Sequence, residues 1–367
     1  MKIIFTVTND LNGDQRMMRI CDTLQSNGFD VTLIGRTKKN SKSLQKQSYQ
    51  QHRLYCFTQS GKLFYVEYNI RLFFYLLFKR FNALCSIDLD TVLVGIALKK
   101  VKKFKLYYDA HELFPHVPEV ISRPSIQKIW LKIEGAAFKY CDEIYTVGAE
   151  IANYLEQRYQ RKVGVVRNMP LLNETWPPVE VVCSEPYILY QGAVNHGRGL
   201  ERLFRILKNL PYHLVIIGVG DILEKLKAMA QTLKIEDRVH FLGWVPPNLL
   251  PAYSRQAFVG YNVSEAEGLS YYLSLNNKFF DFVEAELPSV INDFPEYNGL
   301  IQQYKVGLLT DINDEDITKQ LNSLYNNELL YESIKQQCRE ARKSWNWDLE
   351  SKKLIKFYTD LNGRTHD

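Results

Sequence analysis

The sequence predicts an α/β protein made of two parallel sheets, each wrapped by helices on both faces. Three observations predict it. Apolar runs of strand length alternate with amphipathic stretches of helical period through both halves of the chain, a pattern that gives a doubly wound, mostly parallel sheet. The alternation fails once, where Pro170, Pro177, Pro178 and Pro186 cluster, and this stretch reads as a linker. At 367 residues, 46% apolar and 24% charged, the chain is long enough to build a core on each side of it. The expected division is a first domain over 1-169, a linker over 170-186, a second domain over 187-344 and a terminal helix over 345-367.

In the first half, strands are expected at 2 to 7, 30 to 35, 52 to 57, 83 to 88, 105 to 109, 143 to 147 and 163 to 167. Helices are expected at 15 to 26, 63 to 81, 91 to 101, 125 to 140 and 149 to 159. In such sheets ligands bind beyond the carboxyl ends of the strands. The first of these ends is TNDLNGDQRMMR, which holds Asp10, Asn12, Gly13, Asp14 and Arg16. Asn12 and Gly13 permit a tight turn, and Asp14 is placed to cap the helix that starts near Gln15. The SIDLDT stretch carries Asp88 and Asp90. No further oxygen ligands lie nearby in sequence, so Asp90 or Thr91 is expected to cap the next helix and no metal is expected. In LYYDAHELFPHVPE an apolar strand ends in Asp109, Ala110, His111 and Glu112, and Pro115 and Pro118 stiffen the loop beyond it. A histidine at a strand's carboxyl end stands where a polar contact to substrate is expected.

The second half restarts with YILYQG and AVNHGRG. Gly192, Gly197 and Gly199 allow the backbone to approach a ligand, and Arg198 precedes the helix that begins near Leu200. LVIIGVGDILEKL places Gly218 and Gly220 after a strand, either as a nucleotide-binding turn or as a simple tight turn. From Glu265 to Glu296 come a polar loop, a helix from about Asn277 to Glu286, the strand SVIN and a DFPE turn. Lys278 falls in the first turn of that helix, where the helix disfavours a cation unless an anion is near. A diphosphate satisfies both the free N–H groups and Lys278, and Asp281, one turn on, is placed to accept from a ribose diol.

The stretch SLNNKFFDFVEAELPSVINDFPE resembles the donor signature of retaining glycosyltransferase family 4, which reads roughly SLPNKLFEYMAAGLPVIVSDFPE. AVNHGRG is similar to that family's GAxxxGRG loop, RVHFLGWVPPNLLPAYSRQAFVGYNVS to its DRVxFxGxVxxxxLxxxYxxADxxxxPS segment, and DAHE, IEGAAFKYCDEIYTVGAEI and VVRNMP to further motifs in the same order. The resemblance implies the GT-B fold, with two Rossmann-like doubly wound domains facing each other across a cleft and a terminal helix crossing back to the first domain. It implies that Arg198 and Lys278 hold the donor diphosphate and that Asp281 stands in for the ribose-binding Glu. The backbone at Gly243 and Trp244 would lie against the base, with Trp244 either stacking on it or packing the domain. His111 would contact the transferred sugar or the acceptor. The loop with Asp10, Gly13, Asp14 and Arg16 would face the acceptor beside Glu112; alternatively, Asp14 only caps and Arg16 is a solvated first-turn residue. Glu134 and Asn168 read as structural. The chain departs from the signature at Glu286, where glycine is usual, at Leu273, eight before Asp281 where a second Glu is usual, and at Ala193 in place of a companion Arg.

The implied activity is transfer of a sugar from a nucleotide diphosphate sugar to a hydroxyl of a glycan or lipid-linked glycan, in surface polysaccharide or glycoconjugate synthesis. It would be hexosyltransferase-like, retaining and metal-independent, with no cofactor beyond the sugar nucleotide. Two alternatives stay open: a GT-B sugar-nucleotide epimerase, and a degenerate GT-B protein that binds a nucleotide sugar or a partner without turnover.

Composition bounds the setting. Six cysteines, at 21, 56, 85, 141, 183 and 338, form no CxxC and no Cys/His cluster, which suits a reduced cytosol better than a disulfide framework or zinc site. MKIIFTVTND reads as a first strand and is too short a run for a signal peptide. The apolar region 63 to 81 is interrupted by Glu67 and Arg71 and does not make a membrane span. Formal charge is only +5, so no nucleic-acid partner is expected. The basic clusters RTKK (36 to 39) and KKVKKFK (99 to 105) lie near Ile70, Phe73, Phe74, Leu77 and Phe81 at helical spacing. That combination reads either as contact with an anionic membrane surface at the inner face of the cell membrane or as a core helix with solvated basic loops.

Overall fold

Strand β1 (Lys2–Thr6) is buried on both faces, with Ile3, Ile4 and Phe5 almost fully enclosed, which is why it reads as an unbroken apolar run instead of an alternating one. It is the third strand of a seven-stranded sheet completed by β2 (Asp30–Thr37), β3 (Gln50–Tyr55), β4 (Ala83–Ile87), β5 (Lys105–Ala110), β6 (Glu143–Thr146) and β7 (Gly164–Val165). The order is β3-β2-β1-β4-β5-β6-β7, and every pairing is parallel. A second, six-stranded sheet holds β8 (Tyr187–Gln191), β9 (His213–Ile217), β10 (Val239–Gly243), β11 (Val259–Asn262), β12 (Ser289–Asn292) and β13 (Gly307–Thr310). Its order is β10-β9-β8-β11-β12-β13, again wholly parallel. In each sheet the strand order reverses beside the first strand, between β1 and β4 and between β8 and β11. Those switch points open a crevice at the carboxyl ends of the strands.

This computed structural model describes residues 1–359, so the end of the expected terminal helix lies outside the described residues. The chain divides into one unit of Met1–Arg167 with the residues from Ser351 on, and a second of Asn168–Glu350. The helix Trp347–Thr359 passes from the second unit to the first. Within the first unit the Tyr358 ring stacks 4.5 Å from that of Tyr107, and its hydroxyl lies 3.2 Å from that of Tyr145. Among the described residues no helix is long and apolar enough to cross a membrane.

Local chemistry explains where elements start and stop. Asp14 caps the helix Gln15–Ser26 by accepting from the Met17 N–H at 3.0 Å. The expected cap by Asp90 or Thr91 does not form. Asp90 accepts from the Thr8 hydroxyl at 2.7 Å and Thr91 pairs with the Thr6 hydroxyl at 2.8 Å, tying this turn to the end of β1 instead. The helix expected to reach Glu286 ends at Glu284, because Glu286 itself takes a left-handed φ of 59°. The position that the family signature gives to glycine therefore keeps glycine's backbone. A side chain there costs about 1–2 kcal/mol, offset by ion pairs of the Glu286 carboxylate with Arg339 at 3.0 Å, Arg342 at 3.3 Å and Arg255 at 3.4 Å.

Two further expectations change. The apolar helix runs Gly61–Leu77 and buries Phe64, Tyr68, Leu72 and Leu76, whereas Leu63, Val66, Ile70 and Phe74 form an exposed stripe on the other face. Phe73, Leu77 and Phe81 are half-buried and lie off that stripe. All six cysteines are free, yet a Cys/His cluster does exist: ligand atoms of Cys183, His213 and His240 lie within 4.8 Å of one another. Its members are far apart in sequence and meet only because β9 and β10 pair side by side.

Candidate functional site

The carboxyl ends of β8, β9 and β10 carry Gly192, Gly218 and Gly243, all at positive φ. Close packing dictates two of the glycines here. A Cβ on Gly218 would fall 1.8 Å from the Gly192 carbonyl oxygen, and one on Gly220 would fall 2.1 Å from the Val194 carbonyl oxygen. The turns after β8 and β9 are thus pressed together, backbone on backbone. Gly199, at φ 69°, leads directly into the helix Leu200–Leu207, and Arg198 stands just before it.

Arg198 donates from Nη1 to Asn276 Oδ1 at 3.2 Å and lies 4.9 Å over the Tyr271 ring, while its Nε is buried without a hydrogen-bond partner. Lys278, in the first turn of the helix Asn277–Glu284, is buried at 7% exposure. Its Nζ sits 3.8 Å over the Tyr190 ring and has no hydrogen-bond partner. Burial, reinforced by the neighbouring Arg198 charge, pushes the Lys278 pKa well down. Two mutually repelling cations with unsatisfied N–H groups, each at the start of a helix, leave donors and charge that an anion can satisfy. Asp281, half-buried one turn on, accepts from Gln191 Nε2 at 3.0 Å, and Gln191 Oε1 in turn accepts from the Ser254 hydroxyl at 2.9 Å.

Asn277 is exposed, and its neighbour Asn276 is the residue that meets Arg198. Asn276 also donates from Nδ2 to Asn262 Oδ1 at 3.2 Å and from its backbone N–H to the Tyr297 hydroxyl at 3.0 Å. Sequence reasoning passes over Asn276, Tyr190 and Gln191, although asparagine just before a helix is itself a signal. Trp244 is 66% exposed, which removes the reading that it packs the domain. Leu273 is buried. Glu267 brings a carboxylate to the same region: it pairs with His196 Nδ1 at 3.3 Å and lies 3.1 Å from where a Cβ on Gly197 would stand.

In the first unit, Arg16 is 5% exposed and is not a solvated residue. It donates from Nη2 to both Asp109 oxygens at 3.1 and 3.2 Å, from Nη1 to the Val166 carbonyl at 3.0 Å and from Nε to His111 Nε2 at 3.0 Å. His111 Nε2 is also 3.1 Å from Asp109 Oδ2, while its backbone N–H donates to Asp88 Oδ1 at 2.9 Å. The Nε2 lone pair answers Arg16 and an Nε2–H answers Asp109, so the ring's protonation selects its partner. Burial opposes the charged imidazole, but Asp109 and Asp88 outweigh it and raise the His111 pKa. Desolvation pushes Asp88 up to about 7, against the pull of His111, and likewise pushes Asp90 up to about 6. Asp109 is not among the site residues expected from sequence, yet it anchors this cluster. Asp10 accepts from the Ser41 hydroxyl at 2.9 Å, Asp14 accepts from Asn9 at 2.7 Å as well as capping, Gly13 turns the chain at φ 81°, and Glu112 is exposed.

Two Rossmann-like units of parallel strands, with glycine-rich and polar turns gathered at the carboxyl ends, define the GT-B class of α/β folds. Residues 178–343 match the family model described as "Glycosyl transferases group 1". Among solved structures the fold is similar to sucrose-phosphate synthase from Thermosynechococcus elongatus, at a TM-score of 0.84 and 16% identity with 100% of each chain covered. It is also similar to Anabaena HepE in complex with UDP and glucose, at a TM-score of 0.80 and 12% identity, covering 98% of this chain and 100% of that one. A curated relative, alpha-monoglucosyldiacylglycerol synthase of Streptococcus pneumoniae, is 34% identical over 98 residues, which is 26% of this chain and 20% of that enzyme's length.

Proposed function

We propose that the protein is a family 4-type glycosyltransferase that moves a sugar from a nucleotide diphosphate donor to a hydroxyl of a glycan or lipid-linked acceptor. The observation that carries this reading is the pair of a buried Lys278 and a half-buried Arg198: adjacent, each with a buried nitrogen short of a hydrogen-bond acceptor, and set at the starts of two helices. A departing diphosphate supplies the charge and the acceptor oxygens that both lack. As the glycosidic C–O bond breaks, the sugar becomes oxocarbenium-like and negative charge builds on the diphosphate. Cations already in place there stabilise that state without reorganising, so the step proceeds without a divalent metal. Asp281 takes the ribose diol, Trp244 offers its exposed indole face to the base, and Gly243 leaves room for that approach. His111, oriented by Arg16, Asp109 and Asp88, addresses the transferred sugar or the acceptor hydroxyl, and the anomeric configuration is retained. HepE is described with UDP and glucose bound, so UDP is the first nucleotide to try.

The non-catalytic alternative draws support from Glu286, but its left-handed backbone and three arginine partners account for that residue structurally. Arg198→Ala and Lys278→Ala should each slow turnover by roughly a hundredfold, about 3 kcal/mol of transition-state stabilisation. Near-normal rates in both variants overturn the mechanism, and a product anomer opposite to the donor overturns retention.

The exposed stripe Leu63, Val66, Ile70 and Phe74, continued by Phe78 and followed by the exposed Lys79 and Arg80, supports contact with an anionic lipid surface that presents the acceptor. Flotation with anionic vesicles at low salt tests it; a protein that stays unbound, or binds equally after Phe74→Ser, contradicts it.

A further inference from the structure

We infer that Cys183, His213 and His240 form a binding site for one zinc-class divalent cation, which pins the strap before β8 to the edge of the second sheet. His213 opens β9, and His240 is the second residue of the edge strand β10. The register pairs Leu214 with Val239 and Val215 with His240, so the side chains of 213 and 240 leave the same face of the sheet. His213 Nδ1 and His240 Nε2 face each other at 3.0 Å, with the ring planes 11° apart. Zinc bonds of about 2.0–2.1 Å in a tetrahedron set two nitrogens about 3.4 Å apart, so a small turn of either ring meets that geometry.

Cys183 reaches the same point from the strap, within the 4.8 Å that encloses all three ligand atoms. Its thiol donates a weak hydrogen bond to the Glu185 carbonyl at 3.4 Å, which a thiolate bound to a cation would give up. Val182 and Cys183, with Leu242 and Val245, pack against a buried layer that includes Tyr187, Leu189 and Val215, so the cluster sits at the margin of a firm apolar surface. Glu185, two residues beyond Cys183, interacts electrostatically with both histidines and is exposed, which makes its carboxylate or a water the fourth ligand. One thiolate with two imidazoles selects zinc over the oxygen-seeking magnesium and calcium.

The site is separate from the donor site. His213 begins β9 while Gly218 follows its last residue, and five residues of strand place the two about 15 Å apart. The cation's role here is to order the strap, because the three ligands converge only in the folded unit.

The test uses the full chain, stripped with a chelator and dialysed. Zinc is titrated against a chromophoric chelator, and cobalt(II) is then added as a spectroscopic probe. The expected result is one equivalent of tight zinc binding, a higher unfolding temperature with zinc, and a cobalt spectrum with a thiolate charge-transfer band and intense tetrahedral bands. Cys183→Ser should remove the charge-transfer band, and His240→Gln should weaken zinc binding by about tenfold or more, as ligand-sphere changes do. The spectrum of the unaltered chain stands even if a variant folds poorly. Absence of stoichiometric zinc binding, a cobalt spectrum lacking the thiolate band, or binding unchanged in Cys183→Ser overturns the proposal.

Discussion

Replacing Lys278 by methionine separates its role in binding from its role in folding. The ammonium is buried, has no hydrogen-bond partner, and touches one favourable surface, the Tyr190 ring at 3.8 Å. Leaving a buried polar group unsatisfied costs about 1–3 kcal/mol, and a desolvated cation–π contact returns about 2 kcal/mol. Methionine keeps the stem's volume and removes both terms, so the free variant should unfold within about 1 kcal/mol of the parent. The lost charged hydrogen bond to a diphosphate, about 1.5–3 kcal/mol, should weaken nucleoside diphosphate binding by roughly 10- to 150-fold. Calorimetry in buffers of differing ionisation heat reads a second consequence. Burial and Arg198 depress the Lys278 pKa in the free protein and an arriving diphosphate opposes that shift, so proton uptake linked to binding should be greater in the parent than in the variant. A Lys278→Met protein that loses several kcal/mol of stability yet binds nucleoside diphosphate unchanged would refute this reasoning and make Lys278 a packing residue.

Trp244→Ala should leave stability within about 0.5 kcal/mol, since the indole is exposed, while weakening nucleotide binding by about 1–3 kcal/mol if the base stacks there; equal affinities in a titration contradict the stacking role. Asp88 and His111 both have folded-state pKa values above their ordinary ones, Asp88 at about 7. Their contribution to stability is therefore complete at low pH and lost as pH rises through about 7, a loss of about 1 kcal/mol between about pH 6 and pH 8. Asp88→Asn should shrink that loss, and parallel stability profiles in thermal or urea unfolding would refute it. Glu286→Ala keeps the strained φ of 59° and drops the arginine pairs, costing about 2 kcal/mol. Glu286→Gly should cost about 1 kcal/mol less than the alanine variant, and the reverse order in urea unfolding would refute the account of that position.

Much of the architecture is legible locally. KIIFT and YILYQ read as buried parallel strands because both faces are apolar, Asp14 reads as a cap, and Lys278 stands out because a helix start disfavours a cation. What escapes the sequence lies in contacts between the ends of separate strands. Arg16 reads either as an acceptor-facing residue or as a solvated first-turn residue, and nothing in the sequence shows that Asp109 and His111, more than ninety positions away, fold beside it. The DLD stretch resembles a cap because nothing local reveals that Thr8 and the His111 backbone claim its carboxylates. Glu286 reads as a broken signature because backbone conformation is not written in residue type, and Cys183, His213 and His240 read as unrelated because their meeting depends on sheet register.

Thermal unfolding of the full chain with UDP, GDP, CDP and their sugars, first without metal and then with magnesium, tests the donor site most directly. The account predicts that nucleotides of one base raise the unfolding temperature without metal, with about 2.7 kcal/mol of added stability at a hundredfold excess over the dissociation constant, and that magnesium adds little. No shift with any nucleotide, or a shift that requires magnesium, would contradict it.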